Sequence, residues 1–306
     1  MVQIVQILQN EKIINIFNIV VWVWFIYFIL LLIYLYIKSF RPYKTDFNEE
    51  FYTSIPSDLN IIEVSNLVNR KLNGNVLAAY IINLIRIGHL KIEIIDGKEY
   101  LVRNYSSCKP SIGDEATIKL VLYTMGDGNK VTIDDLYHFC DRKRNKNIML
   151  MEYEIWCKVM KKENYKHIFY ETKEEYGIVK FTSFLGCLIF LVDIILGFNN
   201  KIGYCTLLPA LLLLFLFTKV YKRTRTANEE YKKWIAFREY LDNINIFDKV
   251  INDPELYIVY GTCLGIKGLE NKITDHDYCE RIVEAINRSV IKAILSGNRS
   301  LYWNIF

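Results

Sequence analysis

Apolar residues gather in three runs of this chain that are almost free of charge. Between and after those runs the pattern is that of ordinary water-facing protein. The longest run, Ile13 to Ile37, is 25 residues with Asn15 and Asn18 as its strongly polar members. A helix needs about 20 apolar residues to cross the hydrocarbon core. The run therefore predicts a transmembrane helix over 13–37, with Trp22, Trp24, Tyr34 and Tyr36 available for the interfaces. A cleaved signal peptide fits less well, because its apolar stretch is about 7–15 residues and ends at small residues. Here Lys38-Ser39-Phe40-Arg41 follows instead. A second run, Phe181 to Phe198, is interrupted by Asp193, and a third, Ile202 to Thr218, is leucine-rich. Only Asn199-Asn200-Lys201 divides them, which predicts an antiparallel transmembrane hairpin over 177–220, with Pro209 a candidate kink.

Between the first and second runs the pattern changes to short amphipathic elements, in two tandem copies. Ser54-Ile55-Pro56-Ser57-Asp58 offers N-caps for a helix over 59–68, and Asn73-Gly74-Asn75 marks a break. Leu77, Ala78, Ile81, Leu84 and Ile85 fall at helical spacing over 76–87, and Gly88 is a natural stop. Leu90 to Ile94 alternates with period two, Asp96-Gly97 is a hairpin turn, and Tyr100-Leu101-Val102 pairs back. Helices followed by a hairpin make a winged-helix-like module. The second copy predicts a helix over 116–125, a turn at 126–129, a helix start capped by Thr132, and a long helix over 146–162. It reads as a degenerate winged helix without a clear wing. After the third run, amphipathic helices are expected over 228–241, from Asp253-Pro254 onward, and over 278–295. Gly261-x-x-x-Gly265 reads as a close-packing notch.

Charge sets the orientation. Lys12 is the one basic residue just before the first run, whereas Lys38, Arg41 and Lys44 follow it, and Lys219, Lys222, Arg223 and Arg225 follow the third. The positive-inside rule then places the N-terminus outside and the C-terminus in the cytoplasm of a multi-pass bacterial cell-membrane protein. The expected organisation is a short external N-terminus (1–12), a transmembrane helix (13–37) and a cytosolic tandem winged-helix-like α+β domain (38–176). A transmembrane hairpin (177–220) and a cytosolic helical region (221–306) complete it. The fold class is thus mainly α, with three transmembrane helices. An odd count of 7 cysteines without a Cys-x-x-Cys pair implies no disulfide framework. Overall composition, 52% hydrophobic with a net charge of +4, excludes a disordered chain.

Winged helices often bind DNA, but the charge argues against nucleic acid as the partner. Residues 38–180 hold 22 Lys+Arg against 20 Asp+Glu, which is not a nucleic-acid footprint. The candidate recognition helix offers Asn83 and Arg86 alone. One basic cluster stands out: Arg142, Lys143, Arg144 and Lys146. It reads first as a solvated helix start and second as a contact patch for protein or anionic lipid headgroups.

Several short motifs resemble a known family. Thr226-Ala227-Asn228-Glu229-Glu230-Tyr231, Phe237-Arg238-Glu239-Tyr240-Leu241, Asp253-Pro254-Glu255-Leu256 and Tyr260-Gly261-Thr262-Cys263-Leu264-Gly265 form one set. Ser54 to Leu59 and Leu77 to Ile92 form another. Together they resemble the cytosolic part of the YciQ-like predicted membrane proteins (domain of unknown function 2207), over roughly residues 38–270. The resemblance implies the order of anchor, cytosolic domain, double span and tail. It implies no activity, and the role of the large external domain usual in that family does not carry over.

Chemistry-bearing motifs are few. His138 with Cys140, and His276 with Cys279, each lack the other half of a four-ligand zinc site. Gly126-Asp127-Gly128 lacks the Gly-Lys-Ser/Thr of a phosphate loop, and no Gly-x-Ser-x-Gly elbow occurs. Asp193 is the one ionisable residue inside a span and the intramembrane polar candidate, read as an interfacial acid near the hairpin turn or as a polar packing contact. No catalytic residue, cofactor or metal is expected. The expected partners are the lipid bilayer and other proteins or a second copy of the chain.

Overall fold

The computed structural model describes residues 11–40, 42–105, 109–164, 169–170, 176–196, 206–207, 209–211, 222–244, 253–273 and 277–296. It divides into two compact units: Met1–Lys44 with Phe169–Asn228, and Thr45–Ile168 with Glu229–Phe306.

In the first unit, α1 (Glu11–Phe40) is a single helix of 30 residues, and its stretch Asn15–Tyr34 is long and apolar enough to cross a membrane. Among the described residues it is the one helix that is. Val21, Trp24, Phe28 and Leu31 are buried with Phe17 packed beside them, a seam at alternating spacings of four and three. Residues so spaced share one face of a helix, and this face meets Leu185 and Ile189 of α7 (Tyr176–Leu196). Trp24 stacks on Phe28 with ring centroids 5.5 Å apart. A Cβ on Gly186 of α7 would come within 2.6 Å of the Trp24 ring and 2.9 Å of Ala210 Cβ, so only glycine allows this approach. Away from this seam α1 exposes large apolar side chains from Ile16 to Ile33, Trp22 being 58% exposed against 4% for Trp24. Turn 199–201 and most of the third apolar run lie outside the described residues.

The second unit is built around one short helix. α2 (Ile61–Asn69) opens on a capping box in which Asn60 Oδ1 accepts from Glu63 N at 2.9 Å and the Glu63 carboxylate accepts from Asn60 N. The expected caps at 54–58 are therefore bypassed, because the reciprocal pair satisfies two helix-end donors where a serine alone satisfies one. α3 (Gly74–Arg86) is capped by Asn73, and Gly88 follows it with φ +81. Val76 to Ile82 and Leu84 of α3 are all buried, so it has no water-facing side over those turns.

β1 (Leu90–Ile95) and β2 (Lys98–Arg103) pair antiparallel through Asp96 and Gly97, both at positive φ, as a two-residue hairpin turn demands. α4 (Ile112–Ile118) opens on a second capping box, Ser111 with Asp114, and passes into a π-helical stretch, Lys119–Thr124. It thus begins four residues before the expected start, because Asp114 three positions after Ser111 completes the box. β3 (Lys130–Thr132) pairs with β2, Leu101 opposite Val131. The second pattern, read as wingless, thus adds its strand to the hairpin of the first, giving a three-stranded antiparallel sheet in the order β1-β2-β3.

α5 (Ile133–His138) is capped by Thr132 as expected, and α6 (Lys143–Asn164) is the long helix. Tyr153 and Trp156 of α6 stack with centroids 5.6 Å apart, and the Trp156 indole donates to Thr117 Oγ1 at 2.9 Å.

The C-terminal helices complete this unit. α8 (Arg225–Asp242) enters it from Glu229 onward, and Trp234 Nε1 donates to Ser57 Oγ at 3.2 Å. α9 (Pro254–Leu264) is capped by Asp253 and ends at Gly265, φ +82. It lies along α3, with Tyr260 donating to Leu59 O at 2.8 Å and Arg86 paired to Asp253 at 3.1 Å. The notch expected at Gly261 is real, since a Cβ there would strike Leu269. A short turn, α10 (Glu270–Ile273), precedes α11 (Asp277–Ser296). α11 covers α3 and also meets α5 and α6, burying Ile282, Ile286, Ser289 and Val290. Central and C-terminal blocks, distinct along the chain, are therefore halves of one core. A helix apolar all round needs cover on every side, and α9 and α11 supply it.

Candidate functional site

Two places in the second unit present chemistry outward, and one expected residue escapes description. Asp193 belongs to the backbone of α7, but its side chain lies outside the described residues.

The basic cluster begins α6. Arg142, Lys143 and Arg144 are exposed and Lys146 is half-buried, so the structure brings all four together at the outer start of one helix. Cations at a helix N-terminus oppose the macrodipole, so they gain nothing from the helix itself. From Arg144 the outer face continues through Met151, Ile155 and Lys158, all exposed and spaced three to four apart after Ile148. Behind the cluster, Asp141 is tied to α11: it pairs with Lys292, lies 3.6 Å from Arg288 and takes His138 Nδ1 at 2.8 Å. Lys292 first, and His138 with it, hold the Asp141 carboxyl well below its usual range. His138 therefore works with Asp141, and Cys140 is buried nearby; burial pushes its thiol upward.

The second place is a pocket of about 330 Å3 at the foot of the hairpin. His89 and Arg103, from the open ends of β1 and β2, line it with Asn104, Tyr105, Lys109, Pro110 and Ile118. The walls are fixed by backbone bonds: Asn104 N donates to His89 O at 3.0 Å, and the Asn104 amide to Gly88 O at 2.8 Å. Arg103 makes a bidentate pair with Glu115 at 3.0 and 2.9 Å, and its guanidinium lies 5.2 Å from the Tyr105 ring centre. Behind His89 is a buried polar cluster. Asp114 accepts from Tyr80 at 2.9 Å and from Ser111 N at 2.9 Å, and its Oδ2 is 3.7 Å from His89 Nε2. Burial, and then the Asp114 carboxylate, raise the Tyr80 phenol, which stays protonated and donates. Sequence reading passed over this cluster. Its one local signal was Ser111-x-x-Asp114, a capping-box spacing; Tyr80 and His89 come from another helix and from a strand start.

One chain thus joins a helix long and apolar enough to cross a bilayer to an α+β unit. Residues 48–268 match the family described as predicted membrane protein (DUF2207) C-terminal domain. The chain belongs to that family, as the motifs from Ser54 to Gly265 suggested. No curated protein and no solved structure matches it.

Proposed function

We propose that this protein is a membrane-anchored scaffold or regulatory module, and not an enzyme, acting through protein contacts of its second unit. The observation that carries this reading is the outer face of α6. Met151 and Ile155 are exposed apolar side chains in the middle of a helix whose inner face is buried, and Arg144 and Lys158 flank them. An apolar centre with a charged rim is the usual anatomy of a protein contact. The burial of α3 supports the same reading over a membrane-tethered DNA-binding regulator. The helix that would enter a groove has its side chains in the core and its Arg86 committed to Asp253.

In this reading the two patterns are tandem winged-helix-like modules that share one sheet. The chain crosses the membrane three times, N-terminus outside and C-terminus in the cytoplasm. The close approach of α1, Gly186 and Ala210, one residue from each apolar run, supports three packed spans. Small residues where helices meet are how such bundles pack.

The test is photo-crosslinking of the full chain in its native membrane, with a photoreactive residue at Met151 or, as control, at exposed Glu280 of α11. Discrete heavier adducts from position 151 alone are expected. Adducts from neither position would overturn the proposal, and equal adducts from both would move the contact off α6.

A further inference from the structure

The pocket at the foot of the hairpin has a lining of one-sided chemistry. Arg103, Lys109 and His89 line it, and among the described residues no Asp or Glu does. The two nearest carboxylates stand outside the lining: Glu115 pairs with Arg103, and Asp114, which receives Tyr80 and Ser111 N, lies 3.7 Å from His89 Nε2, so Lys109 is the cation that brings net positive charge to the pocket. Arg103 has five N–H donors and the pair with Glu115 uses two, so donors remain on a guanidinium that the pair holds still. Lys109 is exposed and makes no hydrogen bond or ion pair to another described residue. A volume of about 330 Å3 lies at the small end of the roughly 300–1,000 Å3 range of ligand sites.

We infer that this pocket binds a small phosphate-bearing ligand. A planar guanidinium with donors to spare, an exposed ammonium and an imidazole on one lining that itself holds no carboxylate among the described residues suit a compact oxyanion better than a neutral group. Tyr105 and Ile118 supply the apolar wall for the organic part. The inference goes beyond the scaffold reading and does not depend on it, since neither Met151 nor Ile155 lines the pocket. One chemistry has two sources in a membrane protein, a soluble phosphomonoester and a phospholipid headgroup.

Full-length protein in nanodiscs of neutral phosphatidylcholine, titrated with glycerol 3-phosphate against sodium chloride of equal ionic strength, tests it. A saturable rise in Tm is expected with glycerol 3-phosphate alone. Lys109→Glu, at an exposed position, is expected to leave the ligand-free Tm unchanged and weaken binding by roughly tenfold or more, the worth of one hydrogen bond to a charged group. Adding phosphatidic acid to the discs separates the sources. Competition with glycerol 3-phosphate assigns the site to headgroups; undiminished soluble binding assigns it to a free phosphomonoester. No saturable shift, a shift equalled by chloride, or a shift that Lys109→Glu leaves intact would overturn the inference.

Discussion

Helices α1 and α3 are both strongly apolar, and they solve the same problem in opposite ways. α3 has 13 residues, and the protein itself covers it: α9 along one flank, α11 along another, with β1 following it. α1 has 30 residues, and one seam from Phe17 to Leu31 is covered while Ile16, Ile19, Val23, Ile26, Leu30 and Ile33 are exposed. Apolar composition alone does not say what will solvate a helix. Length decides it: 13 residues reach about 20 Å, short of a hydrocarbon core of about 30 Å, whereas α1 exceeds that thickness.

Alkali is expected to break the cover of α3 most strongly. Burial pushes Cys263 of α9 and Cys157 of α6 up to about 12 from an ordinary thiol value of 9.0, and Tyr260 up to about 12 from 10.0. These groups are neutral in the folded unit and ionise first in the unfolded chain, so folding is favoured fully below pH 9. That advantage is lost as pH rises through about 12. Denaturant unfolding of the second unit at pH 8, 9, 10 and 11 is expected to show falling stability; a flat profile would mean that water reaches these groups.

Truncation sharpens the contrast by a smaller amount. Ile81→Ala, at a fully buried position of α3, is expected to cost about 2–5 kcal/mol in urea unfolding of the second unit. Ile26→Ala, on the exposed face of α1, is expected to leave that transition unmoved. A smaller loss, about 1 kcal/mol, is expected for Asn73→Ala, which removes the side-chain acceptor of Val76 N at the start of α3. The same unfolding curve measures it, and no change would show that another group satisfies that donor.

Local signals in the sequence were strong where one residue type settles one conformation. Gly88, Asp96-Gly97, Thr132, and Asp253 with Pro254 each marked the boundary at which an element ends or begins. What joins elements was not legible. Because almost every position of α1 is apolar, no periodicity singles out the seam that packs on α7. β3 is three residues long and finds its partner in a hairpin of the preceding pattern, which no local spacing encodes. The basic cluster was readable because its four residues fall within five positions. By contrast, the pocket draws on a strand start, a strand end, a loop and a helix, and none of these is unusual alone.

Fluorescence in vesicles bearing brominated lipid tails tests most directly whether lipid solvates α1 while protein solvates the second unit. Trp22 looks outward, whereas Trp24 packs on Phe28, and Trp156 and Trp234 are fully buried in the second unit. The expected result is partial quenching of the full-length protein, most of it lost in Trp22→Phe. Emission untouched by bromine, or quenching that survives Trp22→Phe unchanged, would contradict the account.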